Sequence, residues 1–235
     1  MKKHSLFVAA GFLLAASLLA LGGCADKEPE QRAAFITFLN EDVLPRKGVS
    51  LPELSGENKK AVGEYAKHYE LLTDFQRKLS SEAGKNASEL LQLAEFENIA
   101  AVARAEKSLR KAAGEAAQLR ELVLSLETKT GKARDKLAMP EDLAPVYNAV
   151  YEKVVTLPAK SSATVFDAVH DVFAAILDLL DFIDSHSREM EIEGRNINLK
   201  NIALMDDLNA KMAVVNEKSG ILQKAYAEMA RTMLD

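Results

Sequence analysis

The chain has little with which to build cross-links: one cysteine in 235 residues. A single thiol excludes an intrachain disulfide framework and a cysteine-cluster zinc site. Six prolines and 11 glycines are too few for a collagen-like or low-complexity chain. Acidic side chains outnumber basic ones, 35 to 30, which argues against electrostatic capture of nucleic acid. Reactive motifs are missing as well. Gly84-Lys85 and Gly131-Lys132 have Leu79 and Leu126 where a phosphate-binding loop needs its first glycine, and Asn86 and Ala133 where it needs Ser or Thr. There is no Gly-x-Ser-x-Gly elbow and no His-Glu-x-x-His pair. No catalytic residue, cofactor-binding residue or metal ligand is therefore assigned, and the expectation is a protein that is not an enzyme.

What is present begins with an address. Lys2 and Lys3 precede an apolar run from Leu6 to Leu21, and Gly22-Gly23 lead into Cys24. The run is about 16 residues, short of the roughly 20 that cross a bilayer core, and Asp26-Lys27-Glu28 follows at once. This is the pattern of a secretion signal. The sole cysteine, directly after Leu21-Gly22-Gly23, resembles the bacterial lipobox. That resemblance implies cleavage between Gly23 and Cys24, a diacylglyceryl group on the Cys24 thiol and acylation of the new amino group. Two or three acyl chains anchor stably where one, at about 0.8 kcal/mol per buried CH₂, holds only marginally. An ordinary cleaved signal with an incidental cysteine is the alternative. In Gram-negative lipoproteins an Asp directly after the acylated Cys retains the protein in the inner membrane. Here that place holds Ala25, with Asp26 one later, so the expected location is the outer membrane, facing the periplasm. Loss of Lys2 and Lys3 takes the net charge from −5 to −7, so no polybasic second anchor remains.

The remainder, residues 24–235, reads as one helical domain. A first helix spans Pro29 to about Leu44, with Phe35, Phe38, Leu39 and Val43 in one stripe. Ser55 caps a second, Glu57 to Glu82, which Gly84 ends. A third runs from about Asn86 to Lys136, with Val102, Ala105, Leu109, Ala112, Ala116, Leu119, Val123 and Leu126 alternating three and four as in a coiled-coil seam. Gly114 weakens it unless a tight crossing uses the missing side chain. After Pro140 a short helix ends at Pro158, and Ser161 or Ser162 caps the next. That helix, to about Ser185, is the most apolar of the mature chain and belongs at the centre. Met190 and Ile192, then Ile197 and Leu199, alternate about Gly194-Arg195-Asn196 and predict a β-hairpin. A last helix, about Lys200 to Met233, repeats the seam with Met205, Leu208, Met212, Val215, Ser219, Leu222, Tyr226, Met229 and Met233. The fold class is all-α, an elongated bundle of about five or six helices with coiled-coil-like seams and a small hairpin before the last.

Two histidines stand at ligand spacing from a carboxylate, Glu64 with His68 and Asp167 with His170. Di-iron bundles need two such pairs plus further glutamates, all pointing inward. Asp167 and His170 lie beside the Phe166 and Val169 stripe, and Asp171, Asp178, Asp181 and Asp184 continue a flank that reads as solvated. The methionines of the last helix suit core packing, and equally an adaptable apolar groove lined by Met205, Met212 or Met229.

Cys24-Ala25-Asp26-Lys27-Glu28, Gln31-Arg32, Ala34-Phe35-Ile36 and Phe38-Leu39 resemble the opening of the YiaF-like family of enterobacterial lipoproteins. Leu51-Pro52, Leu54, Lys59-Lys60, Lys153-Val154-Val155-Thr156, Pro158-Ala159 and the hairpin-like segment extend the likeness over most of the mature chain. It is thin in the long Ala-rich helix. The resemblance implies location and architecture, since that family, a domain of unknown function, carries no established activity. The expectation is a lipid-anchored envelope module that binds or scaffolds, with the membrane as one partner through Cys24 and an envelope protein as another. A metal- or small-ligand-binding bundle, an enzyme with an unrecognised site, and self-association through the Val102 to Leu126 seam are the alternatives.

Overall fold

The computed structural model describes residues 27–84, 86, 87, 90 and 98–234. Helix α1 (Glu28–Phe38) carries Pro29 in its first turn, where the missing N–H has no intrahelical acceptor to lose, and buries Phe35 and Phe38. It runs on through a π-helical turn, Leu39–Val43. Ser55 caps α2 (Gly56–Val62), accepting the Asn58 N–H at 3.2 Å. Where the period suggests one helix to Glu82, a 3₁₀ turn, Gly63–Tyr65, separates α2 from α3 (Ala66–Lys78). The cause is Gly63: its φ is +53°, and a Cβ there would lie 2.0 Å from the Gln31 side chain. Only glycine lets α1 approach so closely. Helix α3 continues as a second π turn, Leu79–Gly84.

The long third helix is shorter than its pattern. Its described part is α4 (Ile99–Arg104) and α5 (Glu106–Arg134). Asn98 sets the start of α4, because its side chain accepts the Ala101 N–H at 2.9 Å and caps a new helix. Helix α5 has 29 residues, about 44 Å of rod, and buries Leu109, Ala112, Ala116, Leu119, Val123 and Leu126.

Helix α6 (Leu143–Tyr151) passes through a third π turn, Glu152–Thr156, into α7 (Leu157–Ser185) without leaving helical backbone. Pro158 does not stop the helix, contrary to expectation. The Leu157 N–H donates to Glu152 O, five residues back. This wider turn shifts the carbonyl that a proline ring would strike in a regular α-helix. Ser161 and Ser162 are accordingly mid-helix rather than caps. The Ser161 hydroxyl bonds back to Leu157 O at 2.9 Å, and Ser162 is buried.

Strands β1 (Met190–Glu193) and β2 (Asn196–Leu199) pair antiparallel about Gly194-Arg195, Met190 opposite Leu199 and Ile192 opposite Ile197. Two strands are marginal alone, and these pack Met190 against Leu179, Ile183 and Leu208. Helix α8 (Met205–Leu234) closes the chain.

Helix α7 lies between α5 and α8, packing extensively on each. Its apolar side chains cover two faces, with Phe166, Val169, Phe173 and Leu180 all buried. The aspartates of its flank are partly exposed but not merely solvated. Asp167 pairs with Arg120 at 2.7 Å and Asp181 pairs with Arg110, while Asp171 meets Lys218 at 2.8 Å and Asp178 meets Lys211 at 2.6 Å. The last two aspartates are seven residues apart and so are their lysines, in opposite order. The lysine pairs thus fix α7 antiparallel to α8 with the register of a heptad, and the arginine pairs, also in opposite order, fix it antiparallel to α5. Exposed pairs add little energy; their contribution is alignment.

Gly114 lies on the exposed side of α5, and a Cβ there would meet nothing within 4 Å. No crossing uses it. Gly114→Ala is expected to stabilise the fold by about 1 kcal/mol, raising the thermal midpoint by about 2–4 °C. A melt followed by circular dichroism checks it.

Candidate functional site

One end of this helical layer is not filled. A cavity of about 450 Å³ lies where α7, α3 with its π turn and the end of α8 converge. The α7 wall is Pro158, Ser162, Val165, Phe166 and Val169, joined by Val154 from the π turn before it. Gln76, Leu79, Ser80, Ala83 and Gly84 form the opposite wall, extended by Ala87 and Leu90. Met229 and Met233 of α8 cover the space, and Val49 and Ser50 edge it. The volume falls in the range of about 300–1,000 Å³ that small-molecule sites occupy. Two π turns contribute wall residues and the third leads into the edging loop. Such turns shift the backbone out of α-helical register and recur at functional sites.

The edging loop is held from several directions. Lys153 donates from Nζ to Leu44 O at 2.9 Å and also to Arg46 O, so a cation caps the carbonyl end of the first helix. Burial lowers the pKa of that ammonium below its ordinary value. Gln76 donates to Val49 O and accepts the Leu51 N–H at 3.3 Å. Tyr69 donates to Pro52 O at 2.5 Å. The loop also touches the last turn of α8: the Val49 N–H donates to Met233 O at 3.3 Å. Gly48 has φ +64°, and a Cβ on it would lie 2.5 Å from the same oxygen. A side chain at position 48 would separate loop from helix.

The lining holds no ionisable side chain among the described residues; its polar groups are three hydroxyls and one amide. Ser50 and Ser80 are exposed, whereas Ala83, Val165 and Phe166 are buried, so the cavity runs from exposed hydroxyls at its mouth to a mainly apolar interior in which Ser162 is the one buried hydroxyl among the described lining residues. What it offers a ligand is apolar contact. It offers no acid, base or nucleophilic thiol.

Apart from Met229, the residues singled out in the sequence fall elsewhere. Gly23 and Cys24 lie outside the described residues. Among the described residues no cluster of three or more His, Cys, Asp or Glu could hold a metal. Asp167 and His170 are spent separately, Asp167 on Arg120 and His170 on Ala113 O, which its Nδ1 meets at 3.0 Å. Glu64 is exposed while His68 is buried in an aromatic box, 5.0 Å from the Tyr65 ring and edge-on to Tyr147 at 5.7 Å. His68 Nε2 donates to Ala138 O at 2.8 Å, leaving Nδ1 buried without a partner. Burial pushes the His68 pKa below 6.5, outweighing that hydrogen bond. Tyr65 nearby is pushed up to about 12, by burial first and then by donating to the Glu28 carboxylate.

Of the three candidate groove methionines only Met229 lines the cavity. Met205 and Met212 are 36% and 41% exposed on the flank of α8, away from the cavity. Met233, Gln76, Pro158 and Ser162 were not singled out as site residues. A signal for two of them was present: Pro158 interrupts a helical run, and Gln76 is a polar residue on the Leu72, Phe75 and Leu79 stripe.

A family model described as "Protein of unknown function (DUF3053)" matches residues 12–230. Curated relatives called "Uncharacterized protein YiaF", from Escherichia coli strain K12, E. coli O157:H7 and Shigella flexneri, are 26% identical over 213 residues, 89% of this chain and 89% of theirs. No solved structure matches.

Two outcomes test the local geometry. Lys153→Met removes a charged donor from the loop carbonyls and is expected to cost about 1.5–3 kcal/mol, with faster proteolysis within residues 44–50 at unchanged helicity. For His68 the sign follows from its lowered pKa. Above 6.5 both folded and unfolded chains carry it neutral, and its contribution is complete. As pH falls below 6.5 the unfolded chain takes up a proton that the folded one resists, so stability is lost toward the folded pKa. Urea titrations at pH 7.5 and 5.5 should show a drop in wild type that is smaller in His68→Phe.

Proposed function

Starting from a chain that belongs to the DUF3053 family, we propose that it is a lipid-anchored protein of the cell envelope, acylated at Cys24, that binds an apolar ligand without catalysing a reaction. The carrying observation is the 450 Å³ cavity under Met229 and Met233, whose lining supplies apolar contact and no titratable group among the described residues. The space is a half-open cleft, and its apolar walls are available to whatever enters it. A walled space kept open beside three π turns is best accounted for by a ligand that enters it.

The anchor is the second half of the reading and rests on the run from Leu6 to Cys24. Attachment by acyl chains on Cys24 is the route this reading assigns. Outer-membrane residence facing the periplasm follows from Ala25 rather than Asp after the cysteine.

In cells fed radiolabelled palmitate, the wild-type chain is expected to take up label. Cys24→Ala should take up none and migrate as the longer, uncleaved form. An unlabelled wild-type chain would overturn the anchor.

A further inference from the structure

Resting on that cavity as the binding site, we infer that its occupant is the aliphatic chain of a membrane lipid or fatty acid, inserted tail first with its polar end at Ser50 and Ser80. The walls are chiefly branched aliphatic groups and the two α8 thioethers, with Phe166 the one aromatic ring among the described lining residues. A flat aromatic ligand would find a single ring to stack on among the described lining residues. Among the described lining residues an anionic group inside would find no cation, and burying an unpaired charge is costly. The gradient from exposed hydroxyls to buried Val165 and Phe166 matches an amphiphile. Methionines at the cover adapt to a flexible chain, because thioether side chains repack easily.

The chain enters from outside rather than from the protein's own Cys24. Helix α1 and its π turn, residues 28–43, separate the N-terminal end from the loop at the cavity mouth by about 24 Å of rod. An acyl group on Cys24 would spend most of its length along that surface before reaching the space it should fill.

Tryptophan is absent from the sequence, so one introduced indole reports on a single place. The acylated full-length protein carrying Phe166→Trp is titrated with 9,10-dibromostearate, with Tyr226→Trp, an exposed position on α8, as the comparison. Saturable quenching at about one probe per chain in Phe166→Trp, absent in Tyr226→Trp, is the expected result. Adding Ser162→Phe should weaken it by about tenfold or more. Ala83→Leu, a smaller intrusion on the opposite wall, serves if that variant melts early. Vesicles of dibromostearoyl phosphatidylcholine, run in parallel, separate esterified lipid from free fatty acid, and quenching by either supports the inference. No quenching, or quenching indifferent to both intruding side chains, overturns it. Quenching that appears only once Cys24→Ala is added makes the protein's own anchor the occupant and overturns entry from outside. Palmitate labelling is read independently, so a failed anchor and a failed ligand remain distinguishable.

Discussion

Helix α7 has to be covered on two faces at once, and the arrangement of the molecule follows from that requirement. Its apolar side chains run almost around the rod, so water must be excluded from both sides. Helix α5 covers one side with an alanine-rich surface that lets backbones approach, close enough for His170 to reach Ala113 O across the contact. Helix α8 covers the other. Aspartates along the edges of α7 then meet Arg110 and Arg120 on one side and Lys211 and Lys218 on the other, which sets direction and register without carrying the energy.

The same helix creates the cavity. Pro158 enters a continuous helical run only because the turn before it is widened, and the widened turn places Val154 and Pro158 side by side on the cavity wall. Opposite, the π turn after α3 supplies Leu79, Ser80, Ala83 and Gly84 to the facing wall. Helix α8 packs chiefly on α7, and its last turns bridge the gap with Met229 and Met233 rather than filling it. The space results from three backbone irregularities brought to one end of the layer. Its edge is a loop that Lys153, Gln76 and Tyr69 hold in place.

Features with short range were legible in the sequence. The α5 stripe, the Ser55 cap and the hairpin pairs Met190–Leu199 and Ile192–Ile197 are found where the pattern puts them. The hairpin could be read because a strand period of two reversing about Gly194 leaves few alternatives. Pro158 was misread because a rule about regular α-helices was applied to a turn that is not one. The α7 aspartates were read as solvated because their partners lie 33 to 71 residues away. Met205 and Met212 share the spacing of Met229, and spacing says nothing of where the neighbouring helix ends.

The sequence by itself determined that the chain after its N-terminal apolar run is helical, which faces of its helices are apolar, where the hairpin turns and that the family of YiaF is its kin. These depend on periodicity within a turn or a strand pair, and on motifs a few residues long. Only the tertiary structure decided that α6 and α7 are one rod, that His68 lies in a dry aromatic box and that a cavity opens under Met229 and Met233. Each of these depends on what packs against a residue from far along the chain. Residual space is a property of the whole packing, so no local stretch of sequence records it.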